Sequence, residues 1–188
     1  MNRYALFFLM SALFLGACQS PSATEADETT EVVVTESTAT EAEQEATSSV
    51  DMVLFTAMTN YMQTQLSQMA AEKAASPAVK EVGEEIAQQN GEVLTKIQEL
   101  AKTVEMDMPT ALTVDQQAIY DSLQQLSPEA FEQAYVEVLH KDLKKNLENL
   151  EDLAAQADNA VIRGLAADIA DMQQPQLEKI EMLQQEMM

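Results

Sequence analysis

The chain has 188 residues, with 10 Lys+Arg against 32 Asp+Glu, one histidine, one cysteine and no tryptophan. The net charge of −22 opposes binding to nucleic acid and to anionic lipid surfaces, and it keeps the chain soluble. One cysteine excludes a disulfide framework, and the sequence has no glycine-rich phosphate loop, Ser-His-Asp set or nucleophilic thiol of an enzyme.

The chain opens on basic Arg3 and an apolar run from Tyr4 to Leu15. About a dozen apolar residues are too few to cross a bilayer, which takes roughly 20. The run therefore reads as the core of an export signal. Small residues then lead straight into the only thiol, Leu15-Gly16-Ala17-Cys18, and this tetrad resembles the lipobox of bacterial lipoproteins. The resemblance implies that Cys18 is diacylglycerated, that residues 1–17 are cut away, and that the new amino group is acylated by a palmitate-type chain. Three acyl chains anchor firmly where one binds only reversibly. Removal of Arg3 leaves 9 basic against 32 acidic residues, or −23. By the same resemblance Gln19, where Asp would retain a lipoprotein at the inner membrane, favours the outer membrane facing the periplasm. With Cys18 lipidated, no disulfide forms in that oxidising compartment, and the fold rests on its core.

Residues 18–50 form the next segment. Ser, Thr, Ala and Glu dominate it, and eight acidic side chains from Glu25 to Glu45 have no basic counterpart. Such a stretch buries too little apolar surface to offset its ordering entropy, so a disordered, self-repelling tether is expected. Val32-Val33-Val34 is its one apolar island.

Helical periodicity governs residues 51–188. A first helix is predicted from about Asp51 to Ala75, with Leu54, Met58, Tyr61, Met62, Leu66 and Met69 inward. Ser76-Pro77 restarts the chain, Ser as cap and Pro at the first helical position. The second helix carries Val79, Val82, Ile86, Val93, Ile97, Leu100 and Val104, with a polar gap at Gln89 and Asn90. Pro109 marks a loop from about Glu105 to Leu112, and Thr113 with Gln116 forms a capping box for a short helix. Ser127-Pro128 opens a long third main helix with the stripe Phe131, Tyr135, Leu139, Leu143, Leu147, Leu150 and Ala154. Asp158 is expected to cap the last helix, which carries Ile162, Leu165, Ile169, Met172, Gln176, Ile180, Leu183 and Met187. Pro175 within it should kink or interrupt it. The sum is an all-α fold, an antiparallel four-helix bundle with short connections.

From about Tyr61 to Leu183 the order of signals resembles the bacterial domain of unknown function 4142 family. The stretches that carry the likeness are Ala70-Ala71-Glu72-Lys73-Ala74-Ala75-Ser76-Pro77-Ala78-Val79-Lys80, Met108-Pro109-Thr110-Ala111-Leu112-Thr113, Phe131-Glu132-Gln133-Ala134-Tyr135 and Pro175-Gln176-Leu177. The resemblance implies a ferritin-like four-helix bundle, usually exported, of no settled activity. It also implies an inward acidic residue in the first helix and an inward histidine in each later main helix. Here those places hold Gln63 and Gln65, then Asn90, Leu143 and Ile180. The possible metal site is filled with amides and hydrocarbon.

The residues themselves agree. His140 completes one Glu-x-x-His with Glu137, whereas a di-iron bundle needs two such motifs and two more glutamates. Glu137, His140, Lys141 and Lys144 share a face opposite Leu139 and Leu143, which places His140 in a solvated patch. Of the methionines, Met58, Met62, Met69 and Met172 read as core filler and Met108 as a loop plug, in preference to a soft Cu(I) site drawn from Met106, Met108, Met187 and Met188. Acidic pairs such as Glu84-Glu85 or Asp168 with Asp171 are too frequent to mark acid–base chemistry. Gln89, Asn90 and Gln65 are expected to hydrogen-bond across helices and set register. The reading therefore predicts no cofactor, no metal site and no catalytic residue. It predicts lipidation at Cys18, a membrane partner through that lipid, and a non-enzymatic binding or interaction role with an envelope protein. A ferritin-like metal-binding or redox protein is the alternative.

Overall fold

The structure, a computed structural model, describes residues 38–187, with side chains from residue 49 onward. The signal segment, Cys18, Gln19, Val32-Val33-Val34 and most of the expected tether lie outside the described residues. Five helices make up the described chain: α1 Thr38–Lys73, α2 Pro77–Ala101, α3 Val114–Gln124, α4 Pro128–Gln156 and α5 Ala160–Glu186.

Local chemistry starts most of them where expected. Ser76 and Ser127 cap α2 and α4 with Pro at the first helical position, and Thr113 with Gln116 closes both bonds of the capping box on α3. Three features differ from expectation. α1 opens at Thr38, not near Asp51. Its added stretch holds Ala39, Glu41, Ala42, Glu43, Gln44, Glu45 and Ala46, all strong helix formers. Composition measures what a segment can bury, whereas this stretch needs only local propensity to extend a helix already nucleated. The cap of α5 is Asn159, whose side chain accepts from Val161 N at 2.8 Å, and Asp158 lies outside the helix. Finally, α5 runs unbroken through Pro175. Pro175 is exposed, so the Asp171 carbonyl that loses its helical donor faces solvent rather than core.

α1 packs chiefly on α2 and α4 on α5, while α1 also meets α4 and α2 meets α5. Short turns at residues 74–76 and 157–159 make each pair antiparallel. The α2-to-α4 connection is long, and it climbs the length of α1. Tyr61 donates to Thr110 O (3.4 Å), Gln116 to Met58 O (3.2 Å), and Lys73 to the carbonyls of Leu123 and Gln124. At the top, Glu132 accepts from Ser76 N at 2.8 Å. The main helices thus run up, down, down, up. One long crossover is the ferritin-like arrangement, in place of the short connections expected throughout. Glu105 turns that crossover out of α2 with φ 52°.

The two helix pairs repeat one another. The buried positions of α2 include Val79, Gly83, Ile86, Asn90, Val93, Ile97 and Leu100, and those of α5 include Ile162, Ala166, Ile169, Gln173, Gln176, Ile180 and Leu183. Each α5 position follows its α2 counterpart at one constant offset, 83 residues (162 minus 79). The same offset takes α1 onto α4, where Val53, Gln63, Ala70 and Ala74 correspond to the buried Val136, Asn146, Leu153 and Ala157. A pseudo-two-fold axis therefore runs through the centre of the bundle. The halves differ in chemistry: Thr56, Asn60 and Ser67 on α1 correspond to Leu139, Leu143 and Leu150 on α4.

Candidate functional site

The most unusual part of this molecule is its middle, which is built from amides. α1 turns Thr56, Asn60, Gln63 and Ser67 inward, with Val53, Ala57 and Ala70 above and below. The apolar residues expected there, Leu54, Met58 and Tyr61, are only half-buried, and the connection covers Met58 and Tyr61. Hydropathy places the face by its oily residues. The folded helix places it by which polar groups find partners inside. α2 adds Asn90, α4 adds Asn146, and α5 adds Gln173 and Gln176, all 0–1% exposed.

These amides bond to one another in two strings one helical turn apart. In the lower string Asn146 donates to Gln173 at 2.7 Å. Gln173 donates to Asn60 at 2.8 Å, and Asn60 donates to the Thr56 carbonyl at 2.8 Å. In the upper string Gln176 donates to Asn90 at 3.3 Å, and Asn90 to Gln63 at 3.1 Å. The upper string also reaches the surface. Gln176 donates to Gln89 at 2.9 Å, Gln89 donates to Glu85 at 3.0 Å, and Glu85 pairs with Lys179. Together the strings tie all four main helices. Burying a neutral amide unpaired costs on the order of 1–3 kcal/mol, so each bond mainly removes a penalty that a slipped register would restore. Four buried atoms remain outside the strings: Thr56 Oγ1, Gln63 Nε2, Asn146 Oδ1 and Gln176 Oε1. Of the amides expected to set register, Gln89 and Asn90 take part, while Gln65 is half-buried and Gln63 stands in its place.

Flanking the amides are two apolar ends. Above, Phe131 stacks on Tyr135 with ring centroids 5.9 Å apart, and Tyr135 shares a 2.9 Å hydrogen bond with Ser67. Burial holds the Tyr135 hydroxyl protonated far above the usual tyrosine range, and the Ser67 bond offsets this only in part. Below, Val53, Ile97, Leu150 and Ile162 enclose a cavity of about 10 Å³ that Thr56 also lines.

The residues do not fit a di-metal centre. Leu143 and Ile180, two of the places where the family resemblance implies an inward histidine, are 0% exposed in the core. The inward oxygens of Asn60, Gln63, Asn90 and Gln173 already accept bonds from neighbouring amides. Among the described residues no buried carboxylate offsets a divalent charge, and an uncompensated charge is prohibitive in a dry interior. Among the described residues no three His, Cys, Asp or Glu side chains gather in one place. His140 is half-buried rather than solvated and meets one carboxylate, Glu181 of α5, at 3.5 Å. Its partner in sequence, Glu137, is exposed. Asp168 pairs with Lys96 at 3.6 Å on the surface, and Glu84 and Asp171 are exposed. Met62 and Met69 are buried in the upper apolar cluster, and Met106, Met108 and Met172 pack against the lower one. No described helix is long and apolar enough to cross a membrane.

A family model described as Domain of unknown function (DUF4142) matches residues 34–183. No curated protein and no solved structure matches the chain.

Proposed function

The chain belongs to the domain of unknown function 4142 family, and from that premise we propose that it is a lipid-anchored bundle of the cell envelope with a non-enzymatic binding or interaction role. One observation carries the non-enzymatic part. The inward positions that would hold metal ligands are occupied by Leu143, Ile180 and amides bonded to one another. A bundle whose centre is closed in this way presents its chemistry on its outside. The anchoring part is supported by Leu15-Gly16-Ala17-Cys18 after a short apolar run. Acylated Cys18 is then the membrane partner, and Gln19 favours the outer membrane facing the periplasm. The acidic, Ser/Thr-rich composition that follows Cys18 supports a spacer between that anchor and the bundle.

Cys18→Ser tests this reading. The variant domain should fold as the parent does, yet move from the membrane to the soluble fraction with loss of acyl mass. A variant that stays membrane-bound at precursor length would show an uncleaved signal anchor instead. Acyl mass retained without Cys18 would refute lipidation at that residue.

A further inference from the structure

The pseudo-two-fold axis pairs two of the four buried atoms that the amide strings leave over. Gln63 and Asn146 are equivalent positions, one on α1 and one on α4, and these helices are neighbours. Each also holds its own hairpin together across the same sequence separation of 27 residues, Gln63 with Asn90 and Asn146 with Gln173. In those bonds Gln63 uses its carbonyl oxygen and Asn146 its NH2 group. What remains without a partner is the NH2 group of one residue, Gln63 Nε2, and the carbonyl oxygen of its equivalent, Asn146 Oδ1. Gln176 Oε1, the third amide atom without a partner, belongs to the same string as Gln63.

An unpaired amide NH2 and two carbonyl oxygens together select their own ligand. A metal ion leaves the Gln63 N–H unmet, and an anion leaves both carbonyls unmet. Either also places a bare charge among neutral groups, at a cost far above any hydrogen bond. A water molecule accepts once and donates twice, and buried waters make about three such bonds. We infer that the centre of the bundle is a binding site for one internal water on the pseudo-two-fold axis. It accepts from Gln63 Nε2 and donates to Asn146 Oδ1 and Gln176 Oε1, so that α1, α4 and α5 are joined through it. Neither string bonds α1 directly to α4, so this water adds a polar link between these helices one step along from the Ser67–Tyr135 bond. The inference stands whether or not Cys18 carries lipid.

The test is a high-resolution crystal structure of the chain, with water-exchange spectra of the Gln63 and Asn146 side-chain amides in solution. The expected result is one ordered water within hydrogen-bond distance of both residues, exchanging slowly with bulk. A direct Gln63–Asn146 bond, a metal ion at this place, or an apolar contact there overturns it. Variants give an independent reading. Gln63→Leu and Asn146→Leu each strand groups bonded to the lost amide, lowering the folding equilibrium constant roughly tenfold or more. In the double variant the loss should fall well short of the product of the single losses, since no water site remains to be left half-satisfied. Two losses that simply multiply would also overturn the inference.

Discussion

Glycine positions in α2 and α5 allow one part of the packing to be tested against another in the same chain. A Cβ added at Gly83 would lie 2.8 Å from the Ser67 carbonyl oxygen, 3.0 Å from Ala70 Cβ and 3.0 Å from Ala71 N. Two of those atoms are backbone of α1, so relief requires the helices to separate. A Cβ at Gly91 or Gly164 meets nothing within 4 Å. Ala in place of Gly inside a helix gains about 1 kcal/mol from the unfolded chain's lost freedom. Overpacking a fitted contact costs about 1–3 kcal/mol, and a backbone clash sits at the upper end. Gly91→Ala and Gly164→Ala should therefore each stabilise by about 1 kcal/mol, and Gly83→Ala should destabilise by about 1–2 kcal/mol. For a domain of this size about 1 kcal/mol moves the unfolding midpoint by about 3 °C. Thermal and urea unfolding followed by circular dichroism will place the three variants on both sides of the parent. If Gly83→Ala proves as stable as Gly91→Ala, the close approach of α1 and α2 at Ser67–Ala71 is wrong.

Glu105 holds φ 52°, a conformation that costs a residue with a Cβ about 1 kcal/mol. Glu105→Gly should raise the urea midpoint slightly and Glu105→Val should lower it; equal midpoints would remove the left-handed turn from the account. Asp142 has its pKa raised by burial, with Lys141 and Lys145 pulling the other way. A carboxyl whose folded pKa lies above its unfolded value stabilises most in acid and loses that contribution as pH climbs through both values. Asp142→Asn should then stabilise at neutral pH and lose its advantage as the pH falls to about 3, near the bottom of the ordinary carboxylate range, measured as the pH dependence of the midpoint. An advantage that grows in acid would contradict the burial of that carboxyl.

Much of the architecture is written in local chemistry. Ser76-Pro77, Ser127-Pro128 and Thr113 with Gln116 announce helix starts through groups that act within one turn, and the structure places all three as read. The inward face of α1 is harder to read, because Thr56, Asn60, Gln63 and Ser67 count as costs until their partners on α2, α4 and α5 are known. Hydropathy therefore selects Leu54, Met58 and Tyr61, and it gives no reason to prefer Gln63 over Gln65. Asn146 and Gln173 escape it for the same reason. A signal for both exists: setting α2 against α5 at the 83-residue offset places Asn90 on Gln173 and, through α1 and α4, Gln63 on Asn146. Asp158 and Asn159 are both good caps, and only the course of the turn chooses between them. Pro175 is tolerated because its lost bond faces water, a fact of packing rather than of sequence.

The central claim is that the middle of this bundle is a neutral, self-bonded amide core and not a metal centre. Its most direct test is metal content: the purified chain is loaded with Fe(II), Mn(II) and Cu(I) in turn, freed of loose ions by gel filtration, and analysed for metal per chain. No metal should be retained in stoichiometric amount, and Gln63→Leu should change nothing in this assay. Stoichiometric iron, manganese or copper that survives filtration and disappears in Gln63→Leu or Asn90→Leu would contradict that claim.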